Sequence, residues 1–118
     1  MSVHALVFDL DALGTPEEGA PAPEKIISGA PKTRTWNLEE TPDGKVYSGI
    51  WEATPGKWRI AYDEWEFFSV LSGVSVVAEE GGAATTLKAG DTMILRPGFK
   101  GTWEVVETTR KLYVIRLP

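Results

Sequence analysis

From residue 46 onward the chain is a series of short apolar and β-branched runs cut by turn residues. The runs read VYSGIWEA, KWRIAY, EWEFFSVL, VSVVAEE, ATTLKAGD, TMILR, TWEVVE and KLYVIRL, with TPG, SG, GG and PGFKG among the breaks. Val, Ile, Thr, Tyr, Trp and Phe dominate them, residues that suit a pleated, half-buried surface. Stops at roughly eight-to-twelve-residue spacing predict an all-β, antiparallel sandwich or barrel. No window carries an apolar i, i+3, i+4, i+7 stripe, so no amphipathic helix is expected. Residues 1–45 have another texture: VHALVFDL, then DALGTPEEGAPAPEK and SGAPKT, rich in Pro, Gly, Ala and Glu. Such stretches predict an irregular N-terminal arm. The expected division is an arm over residues 1–32, packed on the barrel or on a partner subunit, and a barrel over 33–118.

One run breaks the usual alternation. In YDEWEFFSVLSG (residues 62–73), period two puts Tyr62, Glu64, Glu66, Phe68 and Val70 on one side. A surface strand separates polar from apolar faces, whereas this side is polar at one end and apolar at the other. In a closed barrel one face of every strand points into the lumen, and the lumen can be a ligand cavity. With this side turned inward, Tyr62, Glu64 and Glu66 would stand at the mouth, and Phe68 and Val70 would fill the closed end.

Composition narrows the partners. The chain has 118 residues, 42% hydrophobic and 25% charged, with net charge -5. That is one ordinary globular domain. The twelve basic residues are spread out and form no stripe, so neither nucleic acid nor an anionic membrane is expected as a partner. No run approaches the length of a membrane span, and no basic start leads into a signal segment. The absence of cysteine suits a reducing compartment, and a cytoplasmic location is expected. The single histidine, His4, and the lack of cysteine leave no nucleophile triad. VFDLDALGT (residues 7–15) resembles the DxD start of haloacid-dehalogenase-type phosphotransferases. However, two extra residues separate Asp11 from Gly14-Thr15, and the alternating strands and helices of that fold are missing.

YDEWEFFSVLSG followed by KAGDTMILRPGFKGTWEV resembles the paired motifs of the cupin superfamily. Over residues 33–117 the chain is more closely similar to small single-domain cupins of the ureidoglycine aminohydrolase-like and ethanolamine-utilisation-type group. The resemblance implies an antiparallel jelly-roll (double-stranded β-helix) barrel. Metal-binding cupins carry two histidines and a glutamate in the first motif and a histidine in the second. The resemblance places those positions at Ile60, Tyr62, Glu66 and Gly101, of which only Glu66 offers a ligand atom. No metal and no cofactor are therefore expected.

The resemblance implies the lumen candidates, counted from its motif positions and from its placing of residues 110–113 near the barrel interior. Glu66 is the candidate catalytic residue: desolvated among aromatics, a carboxyl is expected to have a raised pKa suited to general acid or base work. Tyr62 and Glu64 share its side. Gly101 is expected to leave room that Phe99 or Lys100 could use, and Trp103 to point inward beyond it. Trp51 is read as a wall residue. Lys111, on the same face as Tyr113, is expected to pair with Glu66 or with a ligand carboxylate. Each has a structural alternative: Glu66 and Lys111 as a buried ion pair, and Trp51 and Trp103 as core. The sequence supports a metal-free protein holding a small polar or anionic molecule (a ureide, an amino-acid-like acid or a sugar acid). A non-catalytic sensor and a dimeric assembly module remain open beside it. In the last, VHALVFDL would be a strand donated to a second copy, since the resembling cupins form homodimers by sheet addition.

Overall fold

The computed structural model describes residues 4–118. Nine strands follow in order: β1 (Glu17–Gly19), β2 (Ile26–Gly29), β3 (Thr33–Glu40), β4 (Val46–Ala53), β5 (Gly56–Ala61), β6 (Trp65–Glu79), β7 (Ala84–Lys88), β8 (Thr92–Leu95) and β9 (Lys100–Arg116). A single 3-10 turn at Pro23–Lys25 is the only helical element among the described residues. No helix among them is long and apolar enough to cross a membrane. All pairings are antiparallel, and the curled sheet is a jelly-roll barrel.

Two long strands hold the barrel together. The runs EWEFFSVL and VSVVAEE, separated by Ser72-Gly73 in the sequence, form one strand, β6, and TWEVVE and KLYVIRL form one strand, β9. Each passes through both halves of the barrel. The N-terminal part of β6 pairs with β8 and with residues 110–116 of β9, and its C-terminal part pairs with β7 and with residues 101–107. Between them the β6–β9 register slips at Val70, Ser72 and Val74, and these bulges bend both strands. Gly73 sits in the bend with φ +87, and a Cβ there would lie 2.0 Å from the Thr108 carbonyl oxygen. A Ser-Gly stop thus marks a corner and not a strand end.

The arm contributes structure. β1 adds to the edge of β3, and β2 adds to the edge of β5. Further upstream, residues 4–13 carry no strand, and Leu6, Val7 and Leu10 are exposed; Val3, the first residue of the stretch expected to be donated, lies outside the described residues. Gly14 is anchored, its carbonyl accepting the Trp36 indole N–H at 2.9 Å. Asp9 and Asp11 lie in an exposed turn in which the Asp11 amide donates to the Asp9 carboxylate. The core fills the closed end of the barrel with Phe68, Val70, Val77, Leu87, Trp103 and Val105.

Candidate functional site

Strand register builds the site. One inward row runs Glu17, Thr35, Trp51, Lys111, Val70 across β1, β3, β4, β9 and β6. The next runs Asn37, Gly49, Tyr113, Phe68, and a third Tyr47, Ile115, Glu66, Leu95. From the other half of the barrel β5 adds Trp58 and Ile60, with Trp58 opposite Trp103. These rows enclose a cavity of about 510 Å³, inside the roughly 300–1,000 Å³ range of small-molecule sites.

The floor is a buried ionic cluster. Lys111 stretches along the lumen so that its Nζ lies 2.8 Å from Glu66 Oε2. The same ammonium sits 4.6 Å from the Trp51 ring centre, 4.7 Å from Phe68 and 4.4 Å from Trp103, within the reach of cation–π attraction. The Tyr62 hydroxyl donates to Glu66 Oε1 at 2.6 Å. Both oxygens of Glu66 are therefore engaged, with the side chain 2% exposed. Burial, then the negative charge of Glu66 and the hydrogen bond to it, push the Tyr62 phenol far above its ordinary value. Tyr113, pushed up to about 12 by burial and then by Glu66 and Glu17, donates to Asn37 Oδ1 at 2.9 Å. At Gly49, between Tyr113 and Asn37 in the row, a Cβ would lie 2.0 Å from the Trp36 carbonyl oxygen, so the β3 backbone leaves no room for a side chain.

Trp103 is fixed from behind. Its indole N–H donates to Ser75 Oγ at 3.2 Å, Ser75 meets Thr109 Oγ1 at 2.6 Å, and Thr109 donates to the Glu107 carbonyl at 2.8 Å. With the Thr109 proton used there, Ser75 is the donor to Thr109, and the chain of donors runs one way. Among the described residues no buried side-chain nitrogen or oxygen lacks a partner.

Six of the seven residues expected at the lumen line this cavity: Glu66, Tyr62, Glu64, Trp51, Trp103 and Lys111. Phe99 does not. Its carbonyl accepts from the Tyr62 amide at 2.8 Å, and its ring packs edge-on against the Tyr62 ring, so it lies behind the wall and borders a neighbouring groove with Arg96. The expected space at Gly101 is absent too: a Cβ there would lie 1.9 Å from the Ala78 carbonyl oxygen, so neighbouring backbone fills the position. Tyr62 reaches the lumen by another route than a single regular strand. Residues 62–64 form the crossing between β5 and β6, Tyr62 continuing the inward series Trp58, Ile60 while Glu66 starts the series on β6. Thr35, Asn37, Tyr47 and Trp58 are lumen residues that strand-by-strand counting does not reach, although Trp58 has the parity of Tyr62.

The positions at which metal-binding cupins keep their ligands do not fit a metal here. Ile60 offers no donor atom, Gly101 faces backbone, and the Glu66 carboxylate already holds an ammonium. Among the described residues no group of three or more His, Cys, Asp or Glu is placed to hold an ion.

The profile of the EutQ-like cupin domain matches residues 40–113. The chain belongs to the EutQ-like cupin family. Its fold is similar to that of a protein of unknown function from Pseudomonas syringae, with 28% identity and TM-score 0.77 over 86% of this chain. The chain spans 43% of the length of that protein. The EutQ protein of Clostridium difficile is 18% identical, with TM-score 0.64, 73% of this cupin and 63% of EutQ being covered. Ectoine synthase from P. lautus is 17% identical, with TM-score 0.70 over 97% of this chain and 79% of the synthase. None of the curated protein sequences matches the chain.

Proposed function

We propose that this EutQ-like cupin is a binding protein that holds a small polar molecule in the barrel lumen without a metal. The observation that carries the reading is a cavity of about 510 Å³ that joins a buried ionic cluster to polar and aromatic walls. Tyr62 and Lys111 each hold one oxygen of Glu66, while Trp51, Trp58, Thr35, Asn37 and Glu64 line the same cavity. A few polar groups over aromatic walls is the usual make-up of a small-molecule site.

The geometry favours binding over catalysis. A general acid or base must reach the proton that it moves, and Glu66 is 1% exposed with its oxygens committed to two partners. We assign the cluster a structural role: it fixes the floor and supplies, through Lys111, a built-in positive charge beside the retained glutamate. We also keep a cytoplasmic homodimer as part of the reading, and light scattering on a chain lacking residues 1–12 tests the dimer, since an unchanged mass removes the arm as its clasp.

The test of the lumen is native mass spectrometry and elemental analysis of one purified sample, followed by a chelator. The expected result is a bound small molecule at substoichiometric or higher occupancy, retained after chelation. A stoichiometric transition metal whose removal releases the small molecule overturns the reading.

A further inference from the structure

We infer that the lumen takes a small organic cation, an ammonium or amidinium group on a compact, partly apolar body. The inference rests on the reading of the lumen as a ligand site and deepens it.

Charge comes first. The charged side chains lining the cavity are Glu17, Glu64, Glu66 and Lys111. Glu66 and Lys111 neutralise each other at 2.8 Å. Glu17 and Glu64 remain, and neither makes an ion pair among the described residues. An incoming anion meets the carboxylates of Glu17 and Glu64, the latter accepting from the Asp63 amide at 3.1 Å, and finds the Lys111 ammonium already paired with Glu66 and packed on three ring faces. Of the two partners expected for Lys111, Glu66 or a ligand carboxylate, the structure provides Glu66. A cation meets two carboxylates and displaces nothing.

Hydrogen-bonding capacity points the same way. Tyr62 and Tyr113 have spent their protons on Glu66 and Asn37, so their phenol oxygens have only acceptor capacity to offer. With the carboxylates of Glu17 and Glu64 they give the wall acceptors for the N–H groups of an ammonium or amidinium, beside the donors of Asn37 and Thr35. Trp51 and Trp58 line the same space, their ring centres 6.3 Å apart. Aromatic faces attract cations, and the protein already uses this wall in that way: the Lys111 ammonium is held over Trp51 at 4.6 Å.

The test compares ligands of one shape and three charges. Benzamidinium, benzamide and benzoate, and then n-butylammonium, 1-butanol and butyrate, are titrated into the full-length protein, followed by tryptophan fluorescence and calorimetry. The expected order is cation, neutral, anion, with benzamidinium about tenfold or more tighter than benzamide. Glu64→Gln and Glu17→Gln are each expected to weaken benzamidinium by roughly three- to tenfold while leaving benzamide unchanged. Both positions have access to solvent, so the variants test charge without touching the core. Benzoate binding as tightly as benzamidinium, or a cation affinity indifferent to both substitutions, overturns the charge assignment and leaves the lumen as a site. No saturable binding by any of the six compounds overturns the lumen reading as well.

Discussion

Glu66 and Lys111 meet with side chains 2% and 6% exposed, so neither charge can turn to water when its partner is removed. Lys111→Met leaves the carboxylate with one phenol for company, and Glu66→Gln leaves an ammonium against three ring faces. Each single change is expected to cost about 3–5 kcal/mol in urea unfolding. The double variant, which buries no lone charge, is expected to recover much of that loss. A double variant as unstable as the sum of the singles would show that the two residues act independently. The phenols make a second prediction. Tyr113 is raised to about 12 and Tyr62 is raised further in direction, both above the roughly 10 of an unfolded tyrosine. A group raised on folding contributes stability that is complete below the unfolded value and is lost as pH climbs through the folded one. Stability is therefore expected to fall from about pH 10 upward, with the tyrosinate absorbance of these two phenols at 295 nm delayed beyond the ordinary tyrosine range. Tyr113→Phe is expected to flatten that part of the pH profile, and an unaltered profile would remove Tyr113 as its cause.

At the scale of the strand, the bend in β6 depends on one residue. At Gly73 an added Cβ meets the Thr108 backbone at φ +87, whereas at Gly44, φ +71, it meets nothing within 4 Å. Gly73→Ala is expected to cost about 3 kcal/mol or more, from backbone strain and overpacking together, and Gly44→Ala about 1–2 from strain alone. Equal midpoints for the two variants in thermal unfolding would mean that the corner relaxes elsewhere. Gly73 also shows what local sequence reveals. A glycine announces positive φ, and both a hairpin and a bulge use one, so Ser72-Gly73 was legible as a special backbone but not as a corner of a continuous strand. Parity within a run was informative where the run stayed regular: Glu66, Phe68 and Val70 all point inward and are buried. It pointed Tyr62 and Glu64 to the right cavity from the wrong geometry, because the chain crosses from β5 to β6 between them. Thr35 and Asn37 were hidden for a different reason. Their place in the lumen follows from pairing with Trp51 and Gly49 of β4, a register that β3 does not encode by itself.

At the scale of the molecule the arm extends two edges of the sheet. The curled sheet runs β1-β3-β4-β9-β5-β2, so two strands from the stretch that reads as irregular cover both of its ends. Each is too short and turn-rich to announce itself: Glu17–Gly19 has no apolar residue, and Ile26–Gly29 ends in Ser-Gly. The family match begins only at residue 40, inside β3, yet the fold needs what lies before it. A chain cut to start at residue 33 loses β1 and β2, opening the edges of β3 and β5, and open edges recruit other chains. It also loses Pro31, which is buried against Gly56, and Glu17, one of the two unpaired carboxylates of the lumen. The expected outcome is a lower melting temperature and high-mass species in light scattering, whereas a chain starting at residue 13 keeps both edge strands and the Gly14–Trp36 bond and is expected to avoid both. Where the shorter chain stays folded at low concentration, its benzamidinium affinity is expected to match that of Glu17→Gln, because both lack the same charge. A chain starting at residue 33 that melts like the full-length protein and stays free of aggregates would show that β3 and β5 protect their own edges, and the arm would then matter only for the charge that it carries into the cavity.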